Sequence, residues 1–303
     1  MKWHELSITV SPEISEAIED LFRKFGYGGA IIEQPILEGD DAEEYTIDTD
    51  SPILVRTYLP ADASAEQAIT NINRGLAALS LITDLPRLSR REVDEDEWHQ
   101  AWRAHFPVLR IGKRIVIKPS WRKYTQKAGD IVIKLDPGSA FGSGQHPSTR
   151  LCLKELESRL VKGQTVLDLG TGSGILAMAA AKLGAASVLA IDIDAVAVKA
   201  ADENVSANRL DKKARVELAS LPLSRKLNRK FDVVVANLTG TILTKLSPQI
   251  PKVIAPGGLL ISSGIIDSKL DSTVEAFKSA GLSIERVRKD GDWRLVVATL
   301  KAK

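Results

Sequence analysis

The sequence predicts an α/β protein of two parts, a small α+β domain followed by a larger domain built on a doubly wound sheet. From residue 164 to residue 300, segments with strand-type and helix-type hydrophobic patterns alternate. In residues 1–93 the predicted strands and helices follow a different order, and the net charge of this region also differs from that of the rest of the chain. Residues 1–90 contain seven Lys/Arg and sixteen Asp/Glu, a net charge of −9, whereas the rest of the chain has a net charge of +11. Two domains are therefore expected.

The composition is that of a globular protein. The 303 residues are 44% hydrophobic and 26% charged, enough for one large or two modest domains. The single cysteine, Cys152, cannot form an intramolecular disulfide, and no apolar run approaches the roughly 20 residues that a membrane-spanning helix needs. Residues 1–5 lack a basic region followed by an apolar stretch, so nothing resembles an export signal. We expect a cytoplasmic monomer.

The first domain is predicted to span residues 1–93 with the order βαββαβ. Ser11 and Pro12 are a cap and a first-position proline that start the first helix. The predicted strands are 3–10, 30–37, 53–59 and 88–93, and the helices are 12–25 and 64–79. This order is typical of a ferredoxin-like domain. Its acidic charge favours a basic protein over nucleic acid as a partner, and a solvated surface without any partner remains the alternative.

Residues 94–110 are predicted to form a helical connector. Trp98, Trp102 and Phe106 recur every four residues on one helical face, a spacing that favours packing over ligand contact. The second domain is then predicted to span 111–303. It begins with strands at 111–118 and 131–135, which flank a basic loop.

The rest of the second domain supplies seven strands. The last two form a hairpin joined by residues 290–292, which requires an antiparallel strand at one end of an otherwise parallel sheet. A dinucleotide-binding domain does not need that addition. The seven strands are predicted at 166–169, 188–191, 215–218, 233–236, 259–262, 282–289 and 293–300. We therefore expect a Rossmann-like sheet of seven strands.

The most informative motif is a glycine-dense turn after the first of these strands. The segment 168–174 reads Asp-Leu-Gly-Thr-Gly-Ser-Gly. Glycines such as Gly170 and Gly172 let a ligand approach the backbone closely. Asp192 ends the next strand, twenty-two residues beyond Gly170, where a carboxylate can accept ribose hydroxyl protons. The motif predicts a nucleoside-containing ligand, and helix capping and packing alone are the alternative role of these glycines.

Asp168 helps to decide which nucleoside is bound. Residues 172–177 also satisfy the looser G-x-G-x-x-A fingerprint, which keeps a nicotinamide-dependent dehydrogenase open. An aspartate before the glycines is the form associated with S-adenosylmethionine. Its carboxylate can hold the ligand's ammonium group, directly or through the turn, whereas beside a pyrophosphate it would be repulsive. S-adenosylmethionine is therefore the favoured cofactor.

A second motif occupies residues 136–149. Three glycines flank Phe141 and indicate a loop that can fold over a ligand, with Phe141 as its lid. Thr149 stands at the start of the following helix, where it can bond a cofactor carboxylate or simply cap the helix. His146 is predicted to position the loop. Because the four histidines show no metal-ligand spacing, no metal is expected.

The third motif is a buried strand that ends at Asn237. An amide carbonyl at this edge of the sheet can accept an N–H from an attacking amine and aim its lone pair at a methyl group. The alternative is a helix N-cap, which the residue type alone favours.

Together, segments 136–149 and 166–174 with Asp192 and Asn237 resemble the bacterial methyltransferases that modify the eleventh protein of the large ribosomal subunit. The resemblance extends over nearly the whole chain and implies methylation of lysine side-chain and N-terminal amines, often to the trimethyl state. It also implies an acidic first domain that binds the ribosomal protein. Carried over by motif, cofactor contacts fall on Thr149, Gly170, Asp192 and Asn237. The sequence departs from the family at Ser148, usually threonine, and at 238–240, after the asparagine.

Three other functions remain open. A methyltransferase could act on another protein, or on RNA through the basic loop 122–127. The chain could be a non-catalytic adaptor that binds the cofactor, with the acidic domain as its working part. A nicotinamide-dependent dehydrogenase is the least favoured of these alternatives.

Overall fold

The computed structural model describes residues 2–33, 36–38, 45–47, 51–81, 83–94, 106–136, 142–225, 227 and 229–301. The chain divides into two compact units, Met1–Phe106 and Pro107–Lys303. Most of the predicted connector, including Trp98 and Trp102, lies outside the described residues. Within the described ranges, no helix is long and apolar enough to cross a bilayer.

The first unit has the predicted ferredoxin-like architecture. Its main sheet has the order β2-β5-β1-β6, and each neighbouring pair is antiparallel. The predicted strand 30–37 differs in its bounds, because β2 starts earlier and Ile36–Glu38 pairs with a separate strand. The elements are β1 (Lys2–Val10), α1 (Pro12–Phe25), β2 (Tyr27–Glu33), β3 (Ile36–Glu38), β4 (Tyr45–Ile47), β5 (Ile53–Pro60), α2 (Ala65–Leu79) and β6 (Ser89–Asp94).

The core of this unit lies between the sheet and its two helices. Alternate residues of β1, Leu6 and Ile8, are buried against Ile18 and Phe22 of α1 and Ile72 of α2. The apolar residues that recur every two positions in the strands and about every 3.6 positions in the helices thus face the same core, as the hydrophobic pattern predicts.

The second unit contains the seven-stranded sheet in the order β12-β11-β10-β13-β14-β16-β15. The first five strands in this order are parallel, and β16 runs antiparallel to both β14 and β15. The elements are β7 (Leu109–Ile111), β8 (Ile115–Lys118), β9 (Ile131–Lys134), α3 (Pro147–Arg159), β10 (Thr165–Leu169), α4 (Ile175–Leu183), β11 (Ser187–Asp192), α5 (Ala195–Ala207), β12 (Ala214–Leu218), β13 (Phe231–Asn237), α6 (Gly240–Leu246), α7 (Ile250–Val253), β14 (Ile254–Ile266), α8 (Leu270–Ser279), β15 (Leu282–Asp290) and β16 (Trp293–Leu300).

Helices cover both faces of this sheet. Val166 of β10 lies in the core beneath α3 and α4, and its neighbour Leu167 lies in the core on the opposite face, with Phe277 of α8. The strand order reverses between β10 and β13, which lie side by side although β11 follows β10 in sequence. Such a switch point opens a crevice at the carboxyl ends of the strands, and all three predicted motifs lead to this edge.

The prediction of one strand over 111–118 is wrong. The chain turns at Gly112, where φ is +68°, so that β7 and β8 form an antiparallel hairpin. The carboxylate of Glu157 accepts the backbone N–H groups of Lys113 and Arg114, both at 2.7 Å. A carboxylate from a distant helix thus holds the turn, and no local pattern reveals it.

Asn208 joins the small sheet of β7, β8 and β9 to the main part of the unit. Its side-chain carbonyl accepts the backbone N–H of Lys134 at 2.9 Å, and its amide group donates to the Lys134 carbonyl at 2.6 Å and to the Asn204 carbonyl at 2.9 Å. Asn208 is 8% exposed. One buried amide therefore fixes the end of β9, immediately before the loop that contains Phe141.

Replacing Asn208 should loosen β9. The Asn208→Ala variant leaves partly buried backbone groups of Lys134 without their Asn208 partners, so we expect a loss of about 1 kcal/mol in unfolding free energy. Hydrogen exchange of the Lys134 amide should accelerate. The isosteric Asn208→Asp is the matched variant, since a carboxylate cannot donate to either carbonyl. Unchanged exchange in both variants would contradict the role given to this amide.

Candidate functional site

The turn between β10 and α4 has a backbone that requires glycine. Gly170, Gly172 and Gly174 have φ angles of +75°, +54° and +81°, and a side chain at Gly170 would meet Leu238 Cδ2 at 2.4 Å. The backbone N–H groups of Gly170 and Thr171 donate to the carbonyl of Ile191 in the neighbouring strand, at 2.9 and 3.0 Å. The turn is therefore held against β11 and presents bare backbone at the carboxyl edge of the sheet.

Asp168 lies fully buried beneath this turn. Its Oδ2 accepts the Thr171 hydroxyl at 2.6 Å and the backbone N–H of Ala177 at 3.0 Å. Among the described residues, Oδ1 has no hydrogen-bond partner. Burial, with a smaller contribution from the nearby charge of Asp192, raises the pKa of Asp168 to about 7 against the lowering effect of the two hydrogen bonds. A buried, partly unpaired carboxyl group of this kind is suited to receive a cation.

Asp192 ends β11 beside the same turn. Its Oδ2 accepts the backbone N–H of Gly172 at 2.9 Å, and its Oδ1 accepts the backbone N–H of Asp194 at 3.1 Å. Each carboxylate oxygen has capacity for a further donor. The side chain thus both fixes the middle of the turn and keeps acceptor sites for ligand hydroxyl groups.

Asn237 and Thr149 meet across 88 residues of sequence. The side-chain amide of Asn237, at the end of β13, donates to the Thr149 hydroxyl at 3.1 Å. Neither residue caps a helix: His146 accepts a backbone N–H at the start of α3, and the Thr239 hydroxyl does so at the start of α6. The capping alternative is therefore wrong for both residues. Thr149 is fully buried and Asn237 is half-buried.

The start of α3 is fastened to the C-terminal hairpin. The His146 ring contacts the Trp293 ring edge-on, with centroids 4.4 Å apart and planes at 72°. Arg150 forms an ion pair with Asp290 at 3.1 Å and donates to the Gln145 carbonyl at 2.9 Å. These contacts fix the helix turn that carries Thr149.

The predicted lid residue Phe141 lies outside the described residues, with the rest of 137–141. The described end of that loop contacts the glycine turn, because the buried Ser173 hydroxyl donates to the Gly142 carbonyl at 2.7 Å. Two segments that are separate in sequence thus converge on one edge of the sheet.

The structure adds an apolar patch that the sequence analysis missed. Ile193 and Leu218 follow or end neighbouring strands and are 79% and 60% exposed, and Val196 on α5 is 56% exposed. Leu218 also borders a surface depression lined by Ala219, Ser220 and Pro222. A signal was present in the sequence, since an apolar residue directly follows the acidic residue that ends β11. Exposed apolar side chains beside Asp192 offer an apolar surface to a ligand.

Among the described residues, no group of three or more His, Cys, Asp or Glu side chains is placed to hold a metal ion.

Comparisons with known proteins agree across the chain. The sequence profile of the family "Ribosomal protein L11 methyltransferase (PrmA)" matches residues 2–301. The chain is similar to the ribosomal protein L11 methyltransferase of Chloroflexus aurantiacus, with 41% identity over 97% of each chain. The enzyme of the same name from Herpetosiphon aurantiacus is also 41% identical over 97% of each chain.

A solved structure is similar as well. The crystal structure of ribosomal protein L11 methylase from Lactobacillus delbrueckii subsp. bulgaricus has 37% identity and a TM-score of 0.59. The match covers 64% of this chain and 98% of that one.

The raised pKa of Asp168 predicts a pH-dependent stability. The folded state holds a proton on Asp168 up to about pH 7, while the unfolded state releases it near the model-peptide value of 3.8. The stability contributed by the neutral form is fully present below the lower value and is lost as the pH rises through the higher one. Asp168→Asn cannot ionise. Its melting temperature relative to the unsubstituted protein should therefore increase between about pH 5 and pH 8.

The exposed Asp202 on α5 provides the matched control, since Asp202→Asn makes the same chemical change outside the site. A difference between Asp168→Asn and the unsubstituted protein that stays constant over this pH range would rule out the assigned ionisation.

Proposed function

The chain belongs to the ribosomal protein L11 methyltransferase (PrmA) family, and on that premise we propose that it transfers methyl groups from S-adenosylmethionine to lysine side-chain and N-terminal amines of ribosomal protein L11. The observation that carries the proposal is the contact between Asn237 and Thr149, on the same edge of the sheet as Asp168 and Asp192. The groups proposed to hold the cofactor and the group proposed to accept the amine N–H would then share one crevice.

The polar groups of this edge fit the polar parts of S-adenosylmethionine. The unpartnered Oδ1 of Asp168 can receive the ammonium group, and Asp192 can accept both ribose hydroxyl groups. Thr149 lies in the first turn of α3, where its hydroxyl and the helix N-terminus favour a carboxylate. Gly170 and Gly172 allow the ligand to lie against the backbone.

The exposed apolar patch fits the remaining part of the cofactor. Ile193 directly follows β11 and Leu218 ends β12, both next to Asp192, so these side chains could receive the base of a ribose held by Asp192. Burial of apolar side chains under an adenine ring contributes about 25 cal/mol for each Å² removed from water. Phe141 is proposed as the lid over the ligand.

The reaction needs alignment more than acid–base catalysis. When bound, S-adenosylmethionine supplies a methyl group on a positively charged sulfur that leaves as a neutral thioether. The lone pair of a neutral amine forms the new N–C bond as the C–S bond breaks and its electron pair stays on sulfur. The resulting ammonium group releases a proton to solvent. Asn237 accepts an N–H of the amine and holds its lone pair in line, a form of catalysis by positioning.

The first unit is proposed to bind the substrate protein. Its net charge of −9 over residues 1–90 is complementary to a basic ribosomal protein and repels the phosphates of RNA. The proposal therefore includes a monomer that acts on the ribosomal protein without direct contact to nucleic acid, in the cytoplasm where that substrate is made.

The test is methyl transfer to unmethylated total ribosomal proteins, with labelled S-adenosylmethionine and intact mass analysis of every labelled species. We expect mass steps of whole methyl groups on one small basic protein. Label in RNA would favour the RNA alternative. Tight cofactor binding without label in any fraction would favour a non-catalytic adaptor.

Asn237→Ala is the variant to run beside the unsubstituted protein. Because the amide acts on the amine, turnover should fall by about 100-fold, a loss typical of removing one preorganised polar group. Cofactor affinity, measured by calorimetry, should change far less. Equal losses in turnover and affinity would mean that Asn237 only binds the cofactor.

A further inference from the structure

We infer that Thr149 positions Asn237 for the transfer step, and that this pair assists only amines that still carry an N–H. The inference rests on the proposed function and adds a role for Thr149 beyond binding the cofactor. A hydroxyl group has one proton to donate and lone pairs to accept. Thr149 can therefore accept the Asn237 amide while its own proton is free for a ligand.

When the Thr149 hydroxyl donates its proton to a ligand, its oxygen can only accept from Asn237, and this determines which way the Asn237 amide faces. Its NH₂ group donates to Thr149 Oγ1 at 3.1 Å, so the carbonyl oxygen on the other side of the planar amide points away from Thr149. In the described part of the chain, Asn237 Oδ1 accepts no hydrogen bond. A rotated amide would turn the NH₂ group toward the incoming amine and lose the acceptor.

Neighbouring elements of the fold hold both Asn237 and Thr149 in place. Asn237 is paired with Ser263 in the sheet, so its backbone cannot shift along β13. Thr149 is fully buried on a helix whose start is tied to the C-terminal hairpin through Arg150 and Asp290. Hydrogen-bonding groups fixed in this way keep their orientation without a reorganisation cost when the substrate arrives.

The three successive methyl transfers to one amine differ in whether the amine still has an N–H group that Asn237 can accept. A neutral primary amine of the substrate has two N–H groups and the monomethylated, secondary amine has one, so Asn237 Oδ1 can orient the first two acceptors. The neutral dimethylated amine is tertiary and has none. In each transfer the nitrogen lone pair forms the N–C bond and the C–S electron pair stays on sulfur. The first two products release a proton to solvent, whereas the third is quaternary and has no proton to release. The pair can therefore assist the first two transfers and not the third.

The experiment follows each transfer separately with Thr149→Val and Thr149→Ser. Valine keeps the size and removes the hydroxyl, and serine keeps the hydroxyl. Single-turnover reactions on unmethylated, monomethylated and dimethylated ribosomal protein L11, each at a saturating concentration of S-adenosylmethionine so that weaker cofactor binding does not limit the rate, give one rate constant for each step by intact mass readout. For Thr149→Val we expect about tenfold slower first and second transfers, the loss of one net hydrogen bond, and a third transfer within about threefold of the unsubstituted protein. Thr149→Ser should restore all three.

Two further measurements decide whether the effect runs through Asn237. In an Asn237→Ala background, Thr149→Val should cause no additional slowing of the first two transfers, because the group it positions is absent. In the nuclear magnetic resonance spectrum of the ligand-free protein, the Asn237 side-chain NH₂ should exchange slowly with solvent, and faster in Thr149→Val.

The inference would be overturned if Thr149→Val slowed all three transfers equally. It would also be overturned if the double variant were slower than Asn237→Ala alone by the full factor that Thr149→Val causes in the unsubstituted protein. Unchanged exchange of the Asn237 amide in a Thr149→Val protein with an unaltered melting temperature would overturn it as well. If the unsubstituted protein transfers no methyl groups, the proposed function fails, and the amide-exchange measurement still tests the contact itself.

Discussion

The site depends on one tight turn between β10 and α4. Three residues with positive φ follow one another at every second position, and Asp168 is buried beneath them with hydrogen bonds to Thr171 and Ala177. Only glycine adopts such backbone angles without strain. The turn therefore fixes both the start of α4 and an edge of the sheet at which a ligand can approach bare backbone.

Other parts of the site converge on this edge because parallel strands end there together. Asp192 and Asn237 end the two strands that flank β10. Thr149 reaches the same edge on a separate helix, anchored by the C-terminal hairpin. The antiparallel hairpin thus bears on the candidate site, since it contacts the start of the helix that carries Thr149.

The sequence predicted the features that depend on local pattern. The alternation of strands and helices, the closing hairpin and the glycine turn all have short-range signatures, and the seven-stranded sheet and the ferredoxin-like first unit are confirmed. The hairpin at Gly112 was missed because a carboxylate 45 residues away holds it. For the same reason the contact between Asn237 and Thr149 could not be predicted, because these residues are 88 positions apart in the sequence. Helix capping was favoured for Asn237 because the residue type alone does not indicate a distant partner.

The most direct test of this account is the number of protons released when S-adenosylmethionine binds. Calorimetry at about pH 6.5 in buffers of different ionisation enthalpy gives that number. Because burial raises the pKa of Asp168 to about 7 in the free protein, Asp168 should release a measurable fraction of a proton as it becomes a carboxylate beside the ligand's ammonium group, which is already largely charged at this pH. Asp168→Asn should release none. Binding of the cofactor without proton release by the unsubstituted protein would contradict a protonated Asp168 that ionises beside the ligand's ammonium group.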